Sequence, residues 1–318
     1  MKNFLYIVIF ILSFSCHGQE EASIEPTYIS PPELKRISYI STLDSIERDY
    51  YLYLPEGYHS MQDKSFPILM HLHGNGERGD GKGDLLWVTK HGPLMEAWVQ
   101  KRNLPFVIIV PQLHMLGMDT VHKYISQRDT STIPRRLESG VPARLEPAKV
   151  RPIKKQTTEK ADLPYGENGG PLGWYTVQED LINMLDHVES HFHVDSSRVF
   201  LTGLSYGGYG TWYMGSHYPE KFKAIAPVAG WGHPNLMSSI AEHNLPVWCF
   251  AGGRDQTVKE HYFAPGIHEL DKLGYTNYRF TIETDLGHDV WKRVYAGEDL
   301  YNWFSLEEIA DKNAELII

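Results

Sequence analysis

The chain has 318 residues, of which 42% are hydrophobic and 22% are charged, and its formal net charge at pH 7 is −10. This length and composition are typical of a globular protein with a large buried core, and the acidic balance argues against a nucleic-acid partner. No Pro/Ser-rich linker divides the sequence, so one large domain is expected rather than two.

The N-terminal segment, residues 1–18, has the pattern of an export signal. Lys2 precedes an apolar run over residues 4–14, and this run is too short to span a bilayer as a helix. We therefore expect an exported protein, located in the periplasm, at the cell surface or outside the cell.

The end of the export signal is open between two alternatives. The sequence SFSC at residues 13–16 resembles a bacterial lipobox that lacks its usual leucine, and processing there would leave a lipid anchor at Cys16. Alternatively, a soluble protein begins near Gln19. In both cases we interpret the polar, proline-bearing residues 19–35 as a tether and residues 36–318 as the folded domain.

Apolar runs alternate with helical patterns along this domain. Continuous apolar runs are typical of buried strands, and apolar residues spaced three and four apart are typical of a helix with one buried face. Strands that alternate with helices predict an α/β fold with a mostly parallel central sheet and helices on both faces. The predicted strands are residues 37–43, 48–54, 66–72, 106–110, 199–202, 224–228, 247–251 and 278–282, and the predicted helices are residues 176–192, 260–273 and 291–304.

One long insertion, residues 113–172, interrupts this alternation. It contains six prolines and ten Lys/Arg against seven Asp/Glu, with almost no periodic apolar pattern. Loops of this length in a compact domain are usually functional or disordered. The insertion is therefore either a solvated loop, or a lid or substrate-binding arm over the carboxyl edge of the sheet, where ligands bind in such folds. In the second case we expect it to select the substrate and to perform no chemistry.

A strand, a glycine-rich turn and a helical segment follow one another at residues 199–214. The turn GLSYG, residues 203–207, matches G-x-S-x-G, which in this context is typical of a nucleophile elbow. Small residues on either side remove the Cβ clashes that so tight a turn would create. Ser205 is therefore the predicted nucleophile, provided that the chain supplies an acid, a base and an oxyanion hole. Without them, the same pattern is a glycine-rich turn with no chemistry.

Two strand ends carry the residue types that a serine nucleophile needs. In α/β-hydrolases the order along the chain is Ser, then Asp or Glu, then His. Asp255 lies on a glycine-rich loop after the seventh predicted strand, and His288 follows a glycine after the eighth. We predict Asp255 as the acid and His288 as the base. Asp285 and Asp289 are rivals for the acid, but immediate neighbours of the histidine are poorly placed to orient its ring.

The oxyanion hole requires two N–H donors. We expect one from the amide of Tyr206, the residue after the nucleophile, and the other from Asn75 in the glycine-rich loop after the third predicted strand. His73, in the same loop, is predicted to be a structural hydrogen-bonding group. The sequence has no HEXXH motif, no clustered Cys/His pairs and no phosphate-binding loop, so it implies no metal or nucleotide cofactor.

Two tryptophans, Trp174 and Trp231, are open to two interpretations. As walls of a substrate-binding cleft they would suit a sugar or an aryl acyl group. As apolar side chains they would simply pack in the core.

Four sequence blocks in this order resemble a known group of enzymes. The blocks HLHGNGERGD, TGLSYGGYGTW, AGGRDQTV and LGHDVW are similar to those of bacterial secreted esterases that are often named predicted peptidases. These are α/β-hydrolases close to the feruloyl-esterase, acetyl-xylan-esterase and polyhydroxybutyrate-depolymerase-like branch. The resemblance covers approximately residues 50–112 and 174–304. The insertion departs from the shorter connection expected in this group, which leaves the substrate open.

The resemblance implies roles that agree with those drawn from the residues themselves. It also implies that Glu77 and Arg78 of the ERGD run are structural or line the cleft. The other roles that it implies are Ser205 as nucleophile, Asp255 as acid, His288 as base, and Asn75 and Tyr206 as oxyanion donors.

The function predicted from the sequence is ester hydrolysis. A serine hydrolase would cleave carboxylic esters through an acyl-enzyme, and export together with a tryptophan-walled cleft favours ester side groups on polysaccharides. A secreted serine peptidase or a polyester depolymerase is the alternative within catalysis. A non-catalytic surface binding protein that keeps the fold is the alternative from another class, although such proteins usually lack one member of the triad.

Overall fold

Eight strands form a single sheet at the centre of the protein. The computed structural model describes residues 28–136, 164, 166 and 169–306. The strands are β1 (Glu33–Ile40), β2 (Glu47–Leu54), β3 (Phe66–Leu72), β4 (Val107–Val110), β5 (Val194–Leu204), β6 (Ala224–Val228), β7 (Val247–Gly252) and β8 (Tyr278–Glu283). Their order across the sheet is β1-β2-β4-β3-β5-β6-β7-β8. The pairs β1–β2 and β2–β4 are antiparallel, and the other pairs are parallel.

The helices are short except for two, α3 and α4. The α-helices are α1 (Met118–Val121), α2 (Lys123–Ser126), α3 (Gln178–His191), α4 (Tyr206–His217), α5 (Met237–Glu242), α6 (Ala264–Lys272) and α7 (Trp291–Ala296), and residues 299–306 are also helical. Single 3₁₀ turns precede several of them, among them Trp174–Val177 and His288–Val290. Within the described part of the chain, no helix has the length and apolar character needed to cross a bilayer.

Both faces of the sheet are covered by apolar side chains. Alternate residues of a strand point to opposite faces, and on β3 Ile68 and Leu69 belong to different buried clusters. The first cluster includes residues of α3, α4, α5 and α6, and the second includes residues of α7 and of the helix at residues 299–306. The predicted α/β fold, with a mostly parallel sheet and helices on both faces, is therefore confirmed.

The first strand begins earlier than the sequence indicated. Residues 37–43 were the predicted strand, but β1 starts at Glu33, which pairs with Leu54 of β2, and it ends at Ile40. The last three residues of the predicted tether are therefore part of the sheet. The preceding Ser30 is also held, because its carbonyl accepts a hydrogen bond from the Gly57 N–H at 2.8 Å. β1 is an edge strand in which three of the eight residues are exposed and none is buried, so its apolar pattern is weak.

Two further predicted boundaries are wrong for local reasons. The predicted strand 199–202 begins too late, because residues 195–198 also lie within β5, where the pairing with β3 shifts between Pro67 and Ile68. The Asp195 carboxylate accepts hydrogen bonds from the N–H and hydroxyl of Ser197, so turn chemistry persists as an irregularity inside a strand. The predicted helix 291–304 is two helices, separated at Gly297, whose backbone is extended.

The insertion is partly described. Its first part, up to residue 136, forms α1 and α2, and it buries Leu113 and Ile125. Residues 137–163 lie outside the described residues, as do the predicted export signal, Cys16 and most of the predicted tether.

In the helix at residues 299–306, the side chain of Phe304 is expected to contribute strongly to the free energy of unfolding. Phe304 is fully buried and stacks on Phe200 of β5, with ring centroids 4.7 Å apart. Phe304→Ala should lower the free energy of unfolding by about 3–5 kcal/mol, because a buried phenylalanine leaves a cavity. Leu306→Ala in the same helix removes a side chain that is 55% exposed and should change it by less than about 0.5 kcal/mol. Urea denaturation measures both, and equal effects would contradict the docking of this helix.

Candidate active site

Ser205 lies at the tip of a sharp turn between β5 and α4. Its φ of +52° is a left-handed conformation that is strained for a residue with a side chain. The Ser205 N–H donates to the Val228 carbonyl at 2.8 Å, which ties the turn to the end of β6. A Cβ on Gly207 would lie 1.8 Å from the Leu72 carbonyl oxygen, so only glycine permits the close approach of this turn to β3.

Three side chains from three different strand ends meet at this turn. The Ser205 Oγ and His288 Nε2 are 3.0 Å apart, and the His288 Nδ1 and Asp255 Oδ2 are 2.7 Å apart. A carboxylate accepts hydrogen bonds only, so Nδ1–H donates to Asp255 and Nε2 is left to accept from the serine hydroxyl. The structure therefore brings together all three residues of the predicted triad in the expected order of contact.

Asp255 is fixed by the chain on both sides. Its Oδ1 accepts from the N–H groups of Thr257 and Val258 at 2.7 and 2.9 Å, and its carboxylate is fully buried. A Cβ on Gly252 would lie 2.1 Å from the Gly287 carbonyl oxygen. The loops after β7 and β8 thus pack with their backbones in contact, which brings His288 to Asp255.

The rival carboxylates bind other partners. Asp285 makes a bidentate ion pair with Arg293, at 2.8 and 2.6 Å, and hydrogen bonding to this guanidinium lowers the pKa of Asp285 to about 2. Asp289 pairs with Lys292 at 2.9 Å. The structure joins neither of them to His288.

The predicted oxyanion residues lie on the elbow and on the loop after β3. Tyr206 is the first residue of α4, and the N–H groups of a first helical turn point out of the helix end. Asn75 begins the 3₁₀ turn Asn75–Glu77, and a Cβ on the preceding Gly74 would lie 2.8 Å from a Leu204 methyl group. The loop of Asn75 therefore lies against the elbow, and the donor role of both amides stays a prediction.

His73 has the structural role that the sequence indicated. Its Nε2 accepts from the Leu113 N–H at 2.9 Å, so Nδ1 carries the proton and donates to the Gly74 carbonyl at 2.6 Å. Burial lowers the pKa of His73 to about 3, which keeps the ring neutral.

Glu77 and Arg78 follow Asn75 in the same loop, and their side chains are buried. The Glu77 carboxyl accepts from the Gly74 N–H at 3.0 Å, and burial raises its pKa to about 7. The Arg78 Nε donates to the Asn75 Oδ1 at 2.6 Å, and its guanidinium lies over the Tyr206 ring at 5.1 Å. Burial lowers the pKa of Arg78 to about 10, at which the guanidinium still carries its charge near neutral pH.

A narrow cleft with little free space runs along the N-terminal half of α4. Trp174 lines it, and the Trp174 indole N–H donates to the His73 carbonyl at 3.1 Å. The tyrosines of this cleft are not among the predicted site residues, although three of them are spaced along one face of α4, a pattern that is visible in the sequence. The cleft is lined by Gly170, Pro171, Trp174, Tyr175, Tyr206, Tyr209, Gly210 and Tyr213.

Trp231 does not line this cleft. Its side chain is fully buried, and its ring packs edge-on against Tyr209 at 5.3 Å and beside Tyr262. The interpretation of Trp231 as a substrate-binding wall is therefore corrected to core packing, because α4 and the segment before α6 cover it.

Comparison with known proteins supports the same fold. Residues 173–272 match the model of the prolyl oligopeptidase family. Poly(3-hydroxyalkanoate) depolymerase C of Paucimonas lemoignei is 34% identical over 74 residues, which are 23% of this chain and 17% of that protein. Feruloyl esterase B of Neurospora crassa is 30% identical over 99 residues, which are 31% of this chain and 27% of that protein. The chain thus matches about a quarter or less of the length of these two relatives.

A solved structure extends the likeness over most of the chain. The crystal structure of a thermostable esterase matches with a TM-score of 0.54 and 18% identity, over 85% of this chain and 62% of the other. The chain has the α/β-hydrolase fold, and its residues 173–272 match the prolyl oligopeptidase family.

Proposed function

We propose that this protein is a serine hydrolase that cleaves carboxylic esters. The observation that carries the proposal is the hydrogen-bonded chain from Ser205 Oγ through the His288 ring to the buried Asp255, built on a strained turn that leaves the hydroxyl at the edge of the sheet. Nucleophile, base and orienting acid within hydrogen-bond reach are the requirement for acyl transfer.

The mechanism follows from these contacts. His288 Nε2 takes the hydroxyl proton as Ser205 Oγ attacks the ester carbonyl, and Asp255 stabilises the resulting imidazolium. The carbonyl oxygen becomes an oxyanion, for which the N–H groups of Asn75 and Tyr206 are the proposed donors. Collapse expels the alcohol, which takes the proton from His288, and water then attacks the acyl-enzyme by the same steps in reverse.

The finer substrate proposal is an ester attached to a polysaccharide. The cleft beside Tyr206 presents several aromatic rings, and aromatic rings pack against sugar faces and aryl groups. A feruloyl esterase among the relatives supports this class of substrate, whereas a poly(3-hydroxyalkanoate) depolymerase supports a polyester as the second candidate.

Peptide hydrolysis is the other candidate activity. The match of residues 173–272 to the prolyl oligopeptidase family favours it, because the same triad cleaves amides. A non-catalytic binding protein is the alternative of another class. We also propose export through residues 1–18, with the lipid anchor at Cys16 and the soluble form as the two outcomes that mass spectrometry of the mature protein distinguishes.

A substrate panel tests the proposed activity. Labelling with a fluorophosphonate separates a serine hydrolase from a binding protein, because only an activated serine reacts. Turnover of short-chain aryl esters, acetylated xylan, feruloylated sugars, a polyhydroxyalkanoate and peptide amides then separates the candidates. We expect ester turnover to exceed amide turnover, and the reverse order would contradict the ester proposal.

Substitutions in the triad should abolish turnover of a small ester without unfolding the chain. Ser205→Ala should lower kcat by on the order of 10⁶, and Asp255→Asn by about 10⁴, because the asparagine side chain holds the imidazole in the wrong tautomer. Asp285→Asn is the matched control, since Asp285 pairs with Arg293 and not with His288. Circular dichroism checks the fold, and a larger loss for Asp285→Asn than for Asp255→Asn would show that the acid is wrongly assigned.

Stability should depend on pH through Glu77. Its pKa is raised from 4.5 to about 7 in the folded protein, so between these values the folded state holds a proton that the unfolded chain releases. The free energy of unfolding should therefore fall as pH rises through this window, by up to about 1.4 kcal/mol per pH unit. Glu77→Gln keeps an acceptor for the Gly74 N–H and should remove this part of the pH dependence of the free energy of unfolding.

Urea denaturation at pH 5 and pH 8 measures the difference between wild type and Glu77→Gln. Glu56→Gln, at an exposed site, serves as the control for removing one negative charge. The same pH dependence in wild type and Glu77→Gln would show that the buried carboxyl group is not its source.

A further inference from the structure

The insertion contacts the loop that carries Asn75. Tyr124 of α2 lies over this loop, and its ring reaches to 4.0 Å from the position of a Cβ on Gly76. Arg128, just after α2, donates to the carbonyls of Gly76 and Arg78 and forms an ion pair with Asp84 at 2.8 Å. Two side chains of the insertion therefore hold a loop that is distant from them in sequence.

The Asn75 side chain is held at both of its polar atoms. Its Oδ1 accepts from the Arg78 Nε at 2.6 Å, and its Nδ2 donates to the Tyr124 Oη at 2.6 Å. A guanidinium only donates, so this contact fixes which amide atom faces Arg78 and which faces Tyr124. Both torsions of a short side chain are thereby fixed relative to its own backbone.

Arg78 joins this asparagine to both ends of the insertion. Its Nη1 donates to the His114 carbonyl at 2.8 Å, and its Nη2 donates to the Leu172 carbonyl at 2.5 Å. The guanidinium also stacks on Tyr206, the residue after the nucleophile. The elbow, the Asn75 loop and the two ends of the insertion thus meet at one buried cation.

Three other backbone groups of this loop are also bonded. Trp174 donates to the His73 carbonyl, Glu77 accepts from the Gly74 N–H, and the Gln112 side chain donates to the Glu77 carbonyl at 2.8 Å. Among the described residues, the Asn75 N–H has no acceptor. A loop held in this way presents one N–H in a fixed direction, which is what an oxyanion donor requires, because preorganised donors need no rearrangement as charge develops.

We propose that Tyr124 is a positioning residue for ester hydrolysis. Together with Arg78 it fixes the Asn75 side chain and, through it, the direction of the Asn75 N–H, so the insertion contributes to the chemical step as well as to substrate choice. This inference rests on the proposed function, in which the Asn75 N–H stabilises the oxyanion. It revises the expectation that the insertion acts on substrate selection alone.

Tyr124→Phe tests the proposal, because it removes only the oxygen that accepts from Asn75. On a small, soluble aryl ester we expect kcat to fall about three- to tenfold, the range for one lost hydrogen bond. We expect KM to change by less than about twofold, because the oxyanion forms only after binding. A residue with a purely structural role would instead lower the active fraction, which active-site titration reports separately.

Tyr278→Phe is the matched control. It removes a tyrosine hydroxyl that also makes a 2.6 Å hydrogen bond, to the Asp271 carboxylate, at the start of β8 and on the surface. We expect its kcat to equal that of the wild type. A kcat loss in Tyr278→Phe as large as that in Tyr124→Phe would overturn the proposal.

Two chemical probes read the oxyanion hole directly. The Ser205 hydroxyl adds to the carbonyl of a trifluoromethyl ketone, and the adduct carries an oxyanion. The inhibition constant of this ketone should therefore rise in Tyr124→Phe by the factor by which kcat/KM falls. The rate of phosphonylation by a fluorophosphonate should fall by a similar factor, because fluoride leaves while charge develops on the phosphoryl oxygen.

The outcomes separate the two proposals. Absence of ester turnover in the wild type would refute the ester activity, while the phosphonylation rates of wild type and Tyr124→Phe would still test the role of Tyr124. Unchanged kcat and phosphonylation in Tyr124→Phe, or a raised KM with unchanged kcat, would overturn the positioning role and leave the ester activity standing.

Discussion

Direct contact between backbones at the elbow is the constraint on which the site depends. A Cβ on Gly207 would meet the Leu72 carbonyl at 1.8 Å, and one on Gly208 would meet the Val228 carbonyl at 2.6 Å. The start of α4 is therefore pressed between the ends of β3 and β6, and Ser205 adopts its positive φ as a result. The same kind of contact between Gly252 and the Gly287 carbonyl joins the loops of Asp255 and His288. Side-chain chemistry at the site follows from these backbone positions.

Asp255 and Arg78 are both buried charged side chains, but they are bonded to different kinds of partner. The buried Asp255 carboxylate has donors at both oxygens, because two backbone N–H groups bond to Oδ1 and His288 bonds to Oδ2. Arg78 is buried among neutral acceptors, since the oxygens to which it donates belong to an amide side chain and two carbonyls. No carboxylate among the described residues forms an ion pair with Arg78, and a buried cation bonded only to neutral oxygens fixes geometry while it lowers stability.

The features that could be predicted from the sequence are those with a clear local pattern of apolar residues, glycines and polar residues. The residues of the predicted triad each follow a strand with a strong apolar pattern. The edge at which parallel strands end brings their loops together, so the proximity of Ser205, Asp255 and His288 could be predicted. β1 was misplaced because an edge strand with one solvated face has a weak pattern. The two interpretations of Trp231 could not be separated from the sequence, because hydrophobicity alone does not say whether a helix covers a side chain. The contact between Asn75 and Tyr124 joins residues 49 positions apart and leaves no periodic signal.

The two carbonyl contacts of Arg78 have a consequence for how the insertion can vary. They hold His114 and Leu172 at fixed points of the domain, so the two ends of the insertion meet at one guanidinium. The entropy of closing a flexible loop changes slowly with length, by about 0.6 kcal/mol for each doubling. Lengthening, shortening or replacing the middle of the insertion therefore has little effect on the energy of the fold while its ends stay bound to Arg78. This position is one where a protein with the α/β-hydrolase fold can acquire new binding surface while the loop of Asn75 stays unchanged.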